Sequence, residues 1–272
     1  MRTLTLSIAN VAMRLSCTDE AFLQELQQER YAAFVHPEGQ EEMHILLQAM
    51  PVPPTRARME GVKVRRAEGG WRFVYDTFVA DVTQGVERAE VACLRSPYAV
   101  DSFLRALLGL YLPPRGGVLL HACGVCHEGI GYLFAGRSGA GKSTVARLLS
   151  SQAQVLSDEL VAVRRIAEGW RVFSTPFWGE FVRASVNQSA PLKAIYVLQQ
   201  ASQHRLELLP LRRALSALLQ CSLQFAEGAE VAEWMLHTVS ALAREVPAYR
   251  LHFLPDLGFW DLVRGETAPT VK

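Results

Sequence analysis

One octapeptide limits what this chain can fold into more than any other feature: Gly136-Arg137-Ser138-Gly139-Ala140-Gly141-Lys142-Ser143, followed by Thr144. A glycine, four residues, then Gly-Lys-Ser/Thr is the pattern of a phosphate-binding loop, and it works only in one local context. The backbone has to turn successive N–H groups inward through torsions that glycine adopts and most residues do not. The helix that follows must bring its positive dipole end to the same point. Strand, loop and helix must therefore be consecutive, and the flanks comply. Tyr132-Leu133-Phe134-Ala135 reads as a buried strand, and Lys142 to about Ser151 as an amphipathic helix. A chain organised around such a unit is an α/β protein. All nine residues from Gly136 to Thr144 are the candidate nucleotide site. Lys142, read as solvent-facing, would reach the outer phosphates, and Ser143 would offer a hydroxyl to a hard divalent ion such as magnesium.

The rest of the chain extends this unit. Val118–Cys126 and Gly131–Ala135 read as strands joined by a Glu128-Gly129 turn. Further strands are expected at Gln154–Leu156, Val161–Ile166, Arg171–Ser174, Ala194–Gln199, Leu206–Leu209 and Tyr249–Phe253, with helices at Leu211–Cys221 and Ala229–Arg244. Upstream, a helix from Pro97 to Leu112 has Ser96 as N-cap, proline at its first position and Pro113-Pro114 to stop it. Residues 1–96 read as a smaller α+β domain and 97–272 as the loop-bearing domain. In the first, Leu4, Leu6 and Ile8 alternate with polar residues as in a strand. From Asp19 to Val35, Phe22, Leu23, Leu26, Tyr31 and Phe34 recur at nearly helical spacing. Val62–Arg65 and Trp71–Tyr75 are strand-like beyond the break at Pro51-Val52-Pro53-Pro54.

Composition sets the excluded classes. Lys plus Arg number 28 against 27 Asp plus Glu, so no bulk field draws in nucleic acid or anionic lipid. No apolar run approaches the roughly 20 residues that span a bilayer, and the first residues lack the apolar core of a secretion signal. A cytoplasmic protein with no nucleic-acid or membrane partner is expected. The five cysteines are odd in number and scattered, which fits free thiols in a reducing compartment. Cys123-Gly124-Val125-Cys126-His127 spells a haem-attachment motif, but thiols three apart on a strand project from opposite faces, so the match is read as accidental. Arg56, Arg58, Lys63, Arg65 and Arg66 form a basic stretch. The alternation of Lys63 and Arg65 with Val62 and Val64 makes it the solvated face of a strand, ahead of a dock for an acidic peptide.

Leu156-Ser157-Asp158-Glu159 places two acids at the end of the strand after the loop helix. Phosphoryl transfer needs a carboxylate near the metal and a group to accept the proton of the attacking hydroxyl, and a strand end beside the loop can supply either. Leu120-His121-Ala122, the hairpin, the loop Ala135–Thr144 and Ser157-Asp158-Glu159-Leu160 together resemble the C-terminal catalytic domain of HPr kinase/phosphorylase and its wider set of HPr kinase-like serine kinases, over roughly Leu104 to Arg264. That set is similar in fold to phosphoenolpyruvate carboxykinase.

The resemblance implies an α/β phosphate-loop kinase core of that type, with a mixed sheet, behind the smaller N-terminal α+β domain. It implies magnesium-dependent transfer of a phosphoryl group from ATP, with ADP or pyrophosphate as open alternatives, to a serine hydroxyl of a small protein or peptide. A homo-oligomer is compatible with it. Asp158 maps onto the catalytic base, which also serves the metal region, and His121 onto a histidine close to the transferred phosphate. Otherwise His121 is an ordinary core histidine. Lys142 completes the catalytic set, and Glu159 stands where aspartate is common. The metal set is Ser143, Asp158 and Glu180, the last within Thr175-Pro176-Phe177-Trp178-Gly179-Glu180, where the surrounding motif differs. Phe177, Trp178 and Phe181 either line the site or build core. No phosphorolysis signature is found. The other readings are a nucleotide-binding regulatory protein without turnover and a small-molecule kinase, for instance of free serine.

Overall fold

Ala9 and Asn10 both take positive φ (54° and 57°), the backbone of a tight hairpin turn that matches strand twist. Arg2–Ile8 (β1) therefore folds straight back on Val11–Cys17 (β2). In the computed structural model, which describes residues 1–36, 41–55, 59–177, 179 and 186–265, this hairpin begins a seven-stranded mixed sheet. Its other strands are Met43–Met50 (β3), Lys63–Ala67 (β4), Gly70–Tyr75 (β5), Phe78–Thr83 (β6) and Arg88–Leu94 (β7), in the order β1-β2-β3-β7-β6-β5-β4. β3 is parallel to both neighbours, and all other pairs are antiparallel. Alternation decides the faces: Val11, Met13, Leu15 and Cys17 of β2 and Met43, Ile45 and Leu47 of β3 are buried, while His44, Leu46 and Gln48 face outward. Lys63 and Arg65 are exposed on β4, as read for a solvated strand face. Arg66 stacks over Trp71 and pairs with Glu230. Arg56, Arg58, Trp178, Glu180 and Phe181 lie outside the described residues.

The expected helix over Asp19–Val35 is broken. Glu20–Glu25 (α1) is capped by Asp19, whose carboxylate accepts from the Phe22 N–H at 2.9 Å. It passes into a wider π-turn at Leu26–Arg30 and a 3-10 turn at Ala32–Phe34. The widened turn lets two consecutive side chains converge on one carboxylate. The hydroxyl of fully buried Tyr31 donates to Asp101 at 2.6 Å, and Arg30 pairs with the same Asp101. Asp101 lies on Pro97–Tyr111 (α2). Contacts divide the chain into two compact units, Met1–Tyr111 with Gln224–Ala232, and Leu112–Leu223 with Glu233–Lys272. The helix with which the sequence reading opens the second domain thus packs in the first unit.

The second unit is built on Gly117–His127 (β8), a strand long enough to pair three others. It turns through Glu128 and Gly129, both at positive φ, into Ile130–Ala135 (β9). There follow Lys142–Leu149 (α3), Gln154–Ser157 (β10), Leu160–Ile166 (β11), Gly169–Phe173 (β12), Ser189–Gln200 (β13) and Arg205–Leu208 (β14). Leu211–Cys221 (α4), Ala229–Glu245 (α5), Ala248–Phe253 (β15) and Gly258–Gly265 (α6) complete it. β8 pairs with β9, β10 and β11, and β13 with β9, β12 and β15, so the path β8-β11-β12-β13-β9 returns to β8. One core gathers Leu120, Ala122, Leu133, Val161 and Ile195 with Leu218 of α4 and Met235 and Val239 of α5. The other gathers Cys123, Val125, Phe134, Tyr196 and Leu251 with Val145 of α3 and Phe259 of α6. The fold is thus mixed α/β with two mixed sheets. No helix among the described residues is long and apolar enough to cross a membrane.

Removing the Tyr31 hydroxyl tests the anchor that breaks the first helix. Tyr31→Phe is expected to lower stability by about 1–2 kcal/mol at pH 8, the cost of losing a buried hydrogen bond to a charged acceptor, measured by urea unfolding. Burial first, then the Asp101 carboxylate, pushes the Tyr31 hydroxyl well above the usual tyrosine range. A raised folded-state pKa contributes stability below the unfolded value and loses it as pH rises, so the wild-type advantage is expected to narrow above about pH 10.

Candidate functional site

β9, β13 and β15 run parallel and side by side, and their carboxyl ends meet at one edge of the second unit. The glycine-rich segment leaves Ala135 at the end of β9 and closes on the first turn of α3, with Gly139 (φ 79°) and Gly141 (φ 108°) in conformations that favour glycine. β10 brings the acids to the same edge. It pairs antiparallel with β8, which pairs antiparallel with β9, so β10 points the way β9 does and ends beside the loop. The carboxyl edge of parallel strands is where open α/β sheets hold ligands. Here it carries a cavity of about 600 Å³ lined by His121, Ser138, Gly139, Gly141, Lys142, Ser143, Thr144, Asp158, Glu159, Gly179 and Gln200.

The acid turn is held from both sides. The Ser157 hydroxyl accepts the N–H groups of Glu159 and Leu160 at 3.2 Å and donates to the Phe177 carbonyl. Thr175 donates its hydroxyl to the Leu160 carbonyl at 2.5 Å and accepts the Phe177 N–H. The Gly179 N–H then donates to Asp158 Oδ1 at 3.1 Å. A side chain at Gly179 would meet Glu159 Oε2 at 3.0 Å and Asp158 Oδ2 at 3.3 Å, so both carboxylates lie against bare backbone. His121 sits opposite Leu160 across β8 and β11, and the Ala122 N–H donates to the Glu159 carbonyl. Strand alternation puts His121 on the face of Cys123, the side packed by α3.

Lys142 departs from expectation. It is not solvent-facing: with 7% of its surface exposed, it folds back over the loop and donates to the carbonyls of Gly136 and Arg137 at 3.0 and 3.1 Å. The reason is local chemistry, since an ammonium on the first turn of α3 finds two inward-turned carbonyls within reach. Burial lowers its pKa from the usual lysine value. The Cys221 and Cys123 thiols and the Glu159 and Asp158 carboxylates oppose that shift. Burial also pushes the Cys123 and Cys221 thiols up. The Ala140 N–H is engaged by the Arg137 carbonyl at 3.1 Å.

The model of one protein family, described as SynChlorMet cassette protein ScmC, matches residues 104–264, more than half of the chain. The chain belongs to this ScmC family. No curated protein matches the sequence. Among solved structures, the Hpr(Ser) kinase/phosphatase from Coxiella burnetii aligns over 54% of this chain and 86% of its own length, with 10% identity and a TM-score of 0.30. A likeness that slight says nothing about chemistry. The matched residues of this ScmC-family chain run from within α2 to within α6 and include every residue that lines the cavity.

Of the residues read from the sequence, His121, Ser138, Gly139, Gly141, Lys142, Ser143, Thr144 and Asp158 come together at the cavity. Gly136, Arg137 and Ala140 belong to the loop but are absent from the lining; the Arg137 guanidinium instead reaches Gln220 of α4 at 2.8 Å. Glu180 lies outside the described residues. Phe177 is fully buried and does not line the cavity, consistent with a core role. Cys123 and Cys126 belong to opposite cores, and all five cysteines are buried free thiols. Glu159, Gly179 and Gln200 are additions to the lining. Glu159 was visible beside Asp158, whereas Gly179 and Gln200 carry no local signal.

Ser143 and the two carboxylates are oxygen donors of the kind that suits magnesium, which is commonly held by one or two carboxylates with the substrate's phosphates completing the shell. Among the described residues no group of three or more His, Cys, Asp or Glu gathers to hold a metal by itself.

Gly141→Ala tests the loop geometry without reference to any ligand. A Cβ there would meet the Phe253 ring at 2.6 Å, on a backbone at φ 108°. The substitution is expected to cost about 1–3 kcal/mol, read as a lower midpoint in thermal unfolding. Gly139→Ala, with open space around its Cβ position, is expected to cost less.

Proposed function

We propose that the chain is a phosphotransferase that takes a nucleotide at the Gly136–Thr144 loop and passes its terminal phosphoryl group to a serine hydroxyl of a small protein or peptide. One observation carries this reading: six residues of the phosphate-loop segment and the acid turn share one cavity, with Lys142, Ser143, Asp158 and His121 on its wall. The motif-level resemblance to HPr kinase-like serine kinases supports the kinase core and the serine acceptor.

The loop amides and Lys142 would hold the phosphates, with Lys142 exchanging the carbonyls of Gly136 and Arg137 for phosphate oxygens. Ser143 and Asp158, with Glu159 beside them, would hold magnesium. When bound, that ion neutralises charge on the phosphates. Asp158 would accept the proton of the attacking hydroxyl. Its Oδ1 takes the Gly179 N–H, which orients the carboxylate toward the cavity it lines. His121, on the same wall, would add a charge-tuning contact. In this reading the 3% exposure of Asp158 limits competition from bulk water for the proton.

Titration calorimetry with Mg-ATP, followed by radiolabel transfer to serine-containing peptides and to free serine, tests the proposal. Acceptor-dependent transfer is expected. Nucleotide binding with no transfer to any acceptor would support a regulatory nucleotide-binding protein instead. Asp158→Asn is expected to leave nucleotide affinity nearly unchanged and to cut transfer by about 10²–10⁴-fold, the usual effect of removing a positioned base. If Asp158 chiefly holds magnesium, the variant will bind Mg-nucleotide weakly and excess magnesium will restore part of the rate. Lys142→Ala is expected to reduce transfer by at least about 10²-fold. An unaltered Lys142→Ala would remove the loop from the mechanism.

A further inference from the structure

Two of the loop glycines are gripped by residues far away in sequence. Gln200 closes β13 and Phe253 closes β15, and the two are register partners across the parallel β13-β15 ladder. The Gln200 side chain donates its amide to the Gly139 carbonyl at 2.9 Å. The Phe253 ring lies against Gly141, closely enough that a Cβ would overlap it. The Ala201 N–H donates to the Phe253 carbonyl at 3.1 Å, tying the two strand ends together just past the cradle. Gly139 and Gly141 are the loop's two residues at positive φ, the points where its path is set by torsion alone. Of the two strand-end residues, Gln200 also lines the cavity.

We infer that Gln200 is a positioning residue for the phosphate loop, acting through the Gly139 carbonyl and, with Phe253 beneath Gly141, fixing the loop tip in the form that receives a polyphosphate. The argument is geometric. Gly139 has open space around its Cβ position, so packing does not hold its peptide, and the Gln200 amide draws its carbonyl toward β13. β13 supports this contact, because Gln200 itself is paired with Phe253 of β15 and the strand leading to it is paired with β9 as far as Val197. The contact thus transmits the position of the sheet edge to the loop tip, and lowers the ordering cost that a bound polyphosphate would otherwise meet.

This inference rests on the reading of the loop as a nucleotide site, and the test separates the two. Mg-ADP and inorganic pyrophosphate are titrated into wild type, Gln200→Ala and the near-isosteric Gln200→Glu, which has oxygen in place of the donor. Melting temperatures of the unliganded proteins are measured alongside. Both variants are expected to bind both probes roughly 5- to 10-fold more weakly, the range for one lost hydrogen bond, with melting temperatures close to wild type. In a transfer assay KM for the nucleotide should rise while kcat at saturation stays within about twofold, because the loop once filled is held by its ligand. Wild-type binding with unchanged affinity in both variants would overturn the role of Gln200 and leave the nucleotide site standing. Failure of wild type to bind either probe would overturn the site and the inference together. Equal loss of kcat and affinity accompanied by a lower melting temperature in both variants would overturn positioning in favour of a general structural role.

Discussion

The parallel pairing of β13 with β9 on one side and β15 on the other is the interaction on which the site depends. β9 delivers the loop, and nothing in the loop itself determines what stands opposite it. Register does: Tyr196 pairs with Phe134 and Tyr249, and Gln200 with Phe253, so the carboxyl ends of three strands separated by dozens of residues arrive together. The stacked aromatic rings of Phe134, Tyr196 and Tyr249 run across these strands at centroid separations of 5.3 and 5.7 Å. A one-residue slip would turn Tyr196 out of this core and Val197 into it, and would carry Gln200 away from Gly139. The burial of those rings therefore protects the geometry of the loop.

A second constraint is hydrogen-bond saturation on the acid side. The chain between β10 and β11 leaves the sheet, so its backbone groups need other partners. Ser157 and Thr175 supply them, each serving as donor and acceptor in the same knot. The knot draws the residues after β12 against the Asp158 turn, and that contact gives the Asp158 carboxylate its backbone donor at Gly179. Two hydroxyl side chains with no direct part in the proposed chemistry thus place a backbone donor against Asp158.

The same saturation governs the loop. The carbonyls of Gly136 and Arg137 are taken by Lys142 and that of Gly139 by Gln200, so the pairing extends from buried Gly136 into the exposed tip at Arg137–Gly139. Lys142 is consequently buried and its ammonium made less basic. In the proposed reaction, ligand binding exchanges one set of charge-assisted hydrogen bonds for another, which keeps the cost of freeing the lysine low.

Sequence alone determined the local facts. The strand, loop and helix around Gly136–Thr144 were legible because torsional demand at the glycines, apolar runs and helix spacing all act over a few residues. So were α4, the β8-β9 turn and the separation of Cys123 from Cys126 onto opposite faces. Several strands of the first unit escaped. β2 carries the same alternation as β1 in Val11, Met13, Leu15 and Cys17, but β3, β6 and β7 have short or mixed patterns that gain meaning only once neighbours cover one face. The break in the first helix escaped too, because its cause is the carboxylate of Asp101, seventy positions from Tyr31. Tertiary structure decided that Gly179 stands beside Asp158 and that Gln200 reaches Gly139. The Gly179 contact follows from the hydroxyl knot and the Gln200 contact from register between strands distant in the chain, and register is set by which side chains can be buried together, a property that no single segment contains.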